Sequence, residues 1–264
     1  MAITSLDTYI NSAKQKLRFV KTTVRTTIAT AWFSLFDVAG EPGAGTLAVG
    51  NTANGLVPTD AVTGFPFISA FGGAAKGYLS IVEFGSTVAS RLRICDRLFH
   101  AGAYAFNANT TLASQPSYSS RIPGADYKGT EIWIECVTAF TGNLSVAVTY
   151  TNQDGTASRS TGTFATGTAL TLGRMMQLPL QAGDTGVQKI DSVIGTVATG
   201  GTFNVLVLRP LWGGRIMILN GGDTHGLDKT GMPELFADSA LQILVNADST
   251  STGIPELLME IANG

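Results

Sequence analysis

The side chains best placed to do chemistry are Glu131, Trp133 and Glu135, which alternate along the run TEIWIECV. Successive side chains of a strand leave opposite faces, so these three share one face while Ile132, Ile134 and Cys136 share the other. Two carboxylates beside a tryptophan would suit a glycosidase or a sugar-binding face. The same alternation is what a half-exposed sandwich strand requires, and the expectation is that the carboxylates face solvent. A second polar group, Asp223, His225 and Asp228, falls within DTHGLD. Crowded carboxylates on a turn can hold Ca²⁺ weakly, but short polar side chains in such turns also bond the backbone. The turn reading is preferred, and ion binding is left open.

Other reactive residues lack the spacing their chemistry needs. GEPGAGT at 40–46 has the glycines of a phosphate-binding loop, yet Thr46 stands where the lysine is required and Pro42 removes a backbone donor. The two histidines, His100 and His225, belong to no HExxH or HxH spacing. No Gly-x-Ser-x-Gly elbow exposes a serine. Cys95 and Cys136 are far apart, each inside an apolar run, and read as buried free thiols. No catalytic, cofactor-binding or metal-ligating residue is therefore assigned, and no cofactor is expected.

Charge narrows the partners. Only 14% of the 264 residues are charged, against about a quarter in an ordinary globular chain, and the formal net charge is −2. So few charges leave little with which to coat a free surface, which suits a surface partly covered by partners; a Thr-rich β protein with short polar turns accounts for the composition equally. There is no overall basic field for nucleic acid. Lys14, Lys16, Arg18, Lys21 and Arg25 nevertheless cluster near the N-terminus beside a single acid, Asp7. The opening residues carry no apolar signal core, and no run approaches the ~20 apolar residues of a membrane span.

The elements follow from periodicity. Ser5 caps an expected helix in which Leu6, Ile10, Ala13 and Leu17 recur at helical spacing. The period then turns strand-like through RFVKTTVRTTIATAWFSLF, giving a helix and extended arm over 1–27 ahead of a β body over 28–264. From 37 to 77 the density of Gly, Pro and Asn predicts a long irregular excursion. Short strands then follow at YLSIVEF, SRLRICDRLF, TEIWIECV, LSVAVTYT, RMMQLPL, KIDSVIGTV, TFNVLVLRPLW, RIMIL, ALQILVN and PELLMEIA, separated by turns such as NQDG and AGDTG. The fold class expected is mostly β: a β-sandwich or jelly-roll body with a short N-terminal helix and an extended arm.

SAKQKLRFVKTTVRTTIATAWFSLFDVAGEPGAG, RLRICDRLFHAGAY, PSYSSRIPGADYKGTEIWIE, TFNVLVLRPLW and TGMPELFADSALQILV together resemble virion structural proteins of tailed bacteriophages, of the capsid or capsid-decorating type. The resemblance spans nearly the whole chain through general texture. It implies assembly without catalysis, synthesis in the host bacterial cytoplasm, residence in the virion, and contacts with copies of itself and other virion proteins. A tail or neck component is the alternative. So is a carbohydrate-binding sandwich for host attachment, for which Trp133, Tyr150 and Trp212 would be the exposed aromatics. Leu6, Ile10, Lys14, Lys16, Leu17, Arg18, Lys21 and Arg25 are the candidate assembly contacts. Nucleic acid, membrane and small-molecule substrates are not expected partners.

Overall fold

The computed structural model describes residues 3–48, 50–72, 76–143, 145–167, 169–195 and 200–264. The end of the expected excursion at 73–75, the first residue of the strand expected from Leu144, and the strand end and turn expected at 196–199 lie outside them.

The protein is mostly β, arranged in antiparallel sheets with a short N-terminal helix. A seven-stranded sheet runs in the order Met175–Leu178, Glu131–Thr138, Thr202–Ile216, Ser90–Ala105, Leu241–Ala247 and Trp32–Ser34, with Asn51–Leu56 paired beside Ser90–Ala105. A six-stranded sheet runs Gly221–His225, Gly77–Ser86, Pro255–Asn263, Lys14–Lys21 and Gly40–Glu41, with Glu234–Leu235 also on Gly77–Ser86. A smaller, five-stranded sheet centres on Ser145–Asn152 and Val187–Gly195.

Both smaller sheets pack on the seven-stranded one. Its Ile132, Ile134, Phe203, Val205 and Val207 share a core with Val146, Val148, Tyr150, Ile190 and Val193 of the five-stranded sheet. Its Leu92, Ile94, Trp212, Ile243 and Val245 share a second core with Phe19, Val82, Phe84, Leu257 and Met259 of the six-stranded sheet. Two long strands, Ser90–Ala105 with 16 residues and Thr202–Ile216 with 15, connect these cores. Their pairing slips at Phe203/Val205, Val207/Leu208 and Pro210/Trp212. Such bulges bend a ribbon, which lets one strand pair serve two sandwiches. Pairing with Glu131–Thr138 ends at Leu208, two residues before Pro210, so that side of the strand needs no donor from it.

The reverse face of the seven-stranded sheet is also covered. Cys95, Trp133, Met175, Leu206, Leu208 and Leu244 form a core there, with Trp32 against it. The excursion between 37 and 77 is mostly irregular but not idle. Leu47 and Phe65 are buried with Phe36 and Val137, and Gly40–Glu41 and Asn51–Leu56 add short strands to the sheets.

Candidate assembly surfaces

The N-terminal helix spans only Leu6–Asn11. Ser5 Oγ accepts the Thr8 N–H at 3.2 Å and Thr8 Oγ1 accepts the Ser5 N–H at 3.0 Å, a reciprocal cap. Lys14 Nζ closes the other end on the carbonyls of Tyr9 (2.8 Å), Ile10 (3.2 Å) and Ser12 (3.2 Å). No residue of the helix is buried. Tyr9 Oη tethers it, donating at 2.7 Å to Glu260 on the six-stranded sheet. Leu6 and Ile10 remain 63% and 60% exposed.

The helix expected to reach Leu17 stops because Lys14–Lys21 is a strand, paired residue for residue with Pro255–Asn263 from Lys14↔Ala262 to Val20↔Glu256. Helical spacing of Leu6, Ile10, Ala13 and Leu17 competed with a period of two in Leu17, Phe19 and Lys21, and sheet pairing decided the outcome. The stretch 22–31 then runs beside 249–252, bonded by Thr27 N–H to Thr250 O (2.9 Å) and Thr252 N–H to Arg25 O (3.0 Å).

This divides the candidate contact residues. Leu6, Ile10, Lys14, Lys16 and Arg18 lie at the surface. Leu17 and Lys21 are taken up by the chain's own fold, so they are unavailable to a neighbour. Lys21 Nζ donates to Pro42 O at 2.8 Å, and burial pulls its pKa down to about 8 against the opposing pull of Asp37. Arg25 pairs with Asp37, and Arg18 pairs with Glu256 (3.0 Å) and Glu41 (3.5 Å). Two of the five basic residues seen in sequence, Arg18 and Arg25, are thus paired with acids within the chain.

Glu131, Trp133 and Glu135 do share a face, but that face is an interior one. Trp133 and Glu135 are fully buried, which corrects the expectation that they face solvent. Glu131 accepts from Trp133 Nε1 at 2.8 Å and from Arg93 Nη2 at 3.1 Å. Glu135 accepts from Arg97 Nη2 (3.1 Å), Asn204 Nδ2 (3.0 Å) and Gln242 Nε2 (3.3 Å). Glu135, saturated and fully buried, has no open approach for a glycoside, and both oxygens of the partly buried Glu131 are held by Trp133 and Arg93. Tyr150 and Trp212 are buried as well, so the aromatics named for a sugar-binding face do not form one.

DTHGLD is not the turn expected: Asp223 and His225 lie on the strand Gly221–His225 and Asp228 in the short helix Leu227–Thr230, and together they gather no ligand set. His225 Nδ1 accepts from Trp212 Nε1 at 3.0 Å, leaving Nε2 near Asp223 at 3.6 Å. Among the described residues no group of three or more His, Cys, Asp or Glu side chains is placed to hold a metal ion. Cys95 and Cys136 are buried free thiols, and burial pushes both pKa values up to about 12.

Sequence reading missed one surface. RIMIL was expected as a strand, but the strand ends at Ile216, and Met217, Ile218 and Leu219 form an exposed turn between the seven- and six-stranded sheets. The following Asn220-Gly221-Gly222 carried the signal, since Asn and Gly accept the positive φ a tight turn needs. Asn220 has φ 54° and Gly221 N–H bonds Ile218 O at 3.2 Å.

No protein-family model matches the chain, and no curated protein matches it. Among solved structures, the T13 viral particle of infectious bursal disease virus aligns at 9% identity over 96% of this chain and 78% of that one, with a TM-score of 0.21. The T=1 particles derived from the same virus align at 10% identity over 95% and 77%, with a TM-score of 0.19. Both neighbours are thus chains of virus particles, at TM-scores too low to place this chain in their fold family.

Proposed function

We propose that the chain is a non-enzymatic virion structural protein that forms or stabilises the capsid of a tailed bacteriophage through symmetric contacts between copies. It is made in the host bacterial cytoplasm and resides in the virion beside other virion proteins. The observation that carries this reading is the N-terminal helix, which is capped at both ends and tethered by Tyr9 yet buries nothing of its own. A helix this short is marginal in water, and an apolar pair presented on it gains stability when a neighbour covers it. Leu6 and Ile10 would each contribute on the order of 1.5–3 kcal/mol on burial. That is weak for one contact and ample when repeated over a shell. Lys14 and Lys16, exposed and not paired with an acid, border the same surface and add a salt-sensitive attraction.

Electron microscopy of the purified full chain, beside the particle it comes from, tests the reading. Closed shells or a regular shell position support it. A chain that stays monomeric at every concentration and is found only in the tail overturns it.

A further inference from the structure

We propose that Arg91, Arg93 and Arg215 form a binding site for a phosphate group on the reverse face of the seven-stranded sheet. The site stands apart from the assembly reading above and does not depend on it.

Sheet register gathers the three arginines. Where Ser90–Ala105 pairs with Thr202–Ile216, Arg215 lies directly opposite Arg91, and Gly213 directly opposite Arg93. Residues two apart on a strand share a face, so all three guanidiniums leave the sheet on one side. Like charges directly opposite each other are destabilising, and an anion bound between them offsets that cost. Arg215 is exposed and makes no hydrogen bond or ion pair with the described residues. Arg91 spends Nη1 on Asp248 (2.9 Å) and Asn246 (3.2 Å), and Arg93 spends Nη2 on Glu131 (3.1 Å). A guanidinium carries five N–H donors, so each keeps its other terminal nitrogen for a ligand. Three cations against the two carboxylates leave this patch positive in a chain whose net charge is −2.

The arginines and Trp32 line an open hollow of about 540 Å³. Arg93 lies over the rings of Trp32 (5.8 Å) and Trp133 (5.6 Å), which hold its guanidinium in place. Gly213 keeps the floor clear, and nothing within the chain requires a glycine there. Its φ is not in the left-handed region, and an added Cβ would meet only Leu92 O at 3.6 Å and Arg93 Cγ at 4.0 Å, which is ordinary contact. At Gly214, by contrast, a Cβ would come within 2.5 Å of the Trp212 ring. Glycine inside a strand weakens it, and where the chain's own packing does not call for one, it marks a place that another group approaches closely.

Phosphate is the anion that fits. A carboxylate offers two oxygens in one plane, and Arg91 and Arg93 already hold one carboxylate each. A phosphate presents oxygens in three directions and accepts from three guanidiniums at once. It can arrive as the free ion or in a nucleic-acid backbone, for which the half-buried Trp32 offers a base a ring to stack on.

Titration calorimetry of the full chain with inorganic phosphate and, separately, with a short oligothymidylate tests the site, each over a range of salt. Arg215→Gln is expected to weaken binding by about tenfold and to lower the oligonucleotide's salt slope by about one, with the urea midpoint unchanged. Gly213→Val is expected to weaken binding while the fold is kept, and Lys128→Gln, at an exposed position beside Gly186, to bind as the wild type does. The tighter of the two ligands names the source of the phosphate. Binding of neither, unchanged affinity in folded Arg215→Gln, or polyglutamate held as tightly as the better ligand overturns the site.

Discussion

Asp96 and Arg97 are consecutive in the chain, yet each anchors its own buried ion cluster. Asp96 accepts from Arg121, from Ser239 Oγ (3.0 Å) and from Ala240 N–H (3.0 Å), with Arg209 at 3.5 Å. Arg97 bonds Glu135 (3.1 Å), Gln242 (2.9 Å) and His100 Nδ1 (3.1 Å), and stacks over Phe36. Neighbouring residues of a strand point to opposite faces, so the two clusters lie on opposite sides of the seven-stranded sheet. Buried ions contribute little net stability but tie particular partners together, here linking the 36–65 excursion and the 239–242 segment to Ser90–Ala105.

Removing one partner from such a cluster leaves an uncompensated buried charge. Arg97→Met and Glu135→Gln are each expected to lower unfolding free energy by about 3–5 kcal/mol, measured by urea denaturation. Glu131→Gln, whose partner Arg93 is partly exposed, is expected to lose only about 1 kcal/mol. Equal losses at Glu131 and Glu135 would contradict the burial difference on which the expectation rests.

His100 makes the fold acid-sensitive. Burial, and then the positive charge of Arg97, pull its pKa down to about 3. The unfolded value is about 6.5, so below that pH the unfolded chain binds the proton first. The folded state is fully stabilised above about 6.5 and loses that stabilisation progressively toward pH 3. His100→Gln should flatten the dependence of thermal midpoint on pH between 6.5 and 4.5. Parallel slopes in variant and wild type would reject this.

Both cysteines should resist native chemistry. With thiol pKa values pushed up to about 12 by burial, almost no thiolate is present at neutral pH. Iodoacetamide is expected to label neither Cys95 nor Cys136 in the folded protein and to label both in denaturant, as read by intact mass. Rapid labelling of the native chain would count against the placement of these strands.

Two truncations separate the helix from the strand that follows it. Removing residues 1–11 takes away no side chain that is buried among the described residues, so the thermal midpoint should move by a few degrees at most while assembly is lost. Removing 1–27 also takes out the strand between Pro255–Asn263 and Gly40–Glu41, with Leu17 and Phe19. Each of those side chains is worth about 1.5–3 kcal/mol on burial, so this chain should fail to fold or melt far earlier. Similar melting of the two truncations would show that Lys14–Lys21 is not part of the sheet.

By itself the sequence determined what depends on neighbours along the chain. Alternation in SRLRICDRLF, TEIWIECV, TFNVLVLRPLW, ALQILVN and PELLMEIA located strands found at those positions, and NQDG and AGDTG located turns. Apolar surroundings marked both cysteines as buried. Ser5 marked the start of the helix, because a cap is a bond to a backbone three residues away.

Tertiary structure alone decided which faces are covered. Alternation placed Glu131, Trp133 and Glu135 on one face, but burial came from Trp32, Leu206, Leu244 and Gln242, residues distant in the chain. Leu17 fitted a helix or a strand equally, and pairing with Pro255–Asn263, at the other end of the chain, chose the strand. Met217, Ile218 and Leu219 have strand-forming composition, yet the two sheets that Ile216 and Gly221 must join turn them outward. Local sequence sets a side chain's periodicity, whereas its environment is set by whichever segment packs opposite, and that choice is made by the whole chain at once.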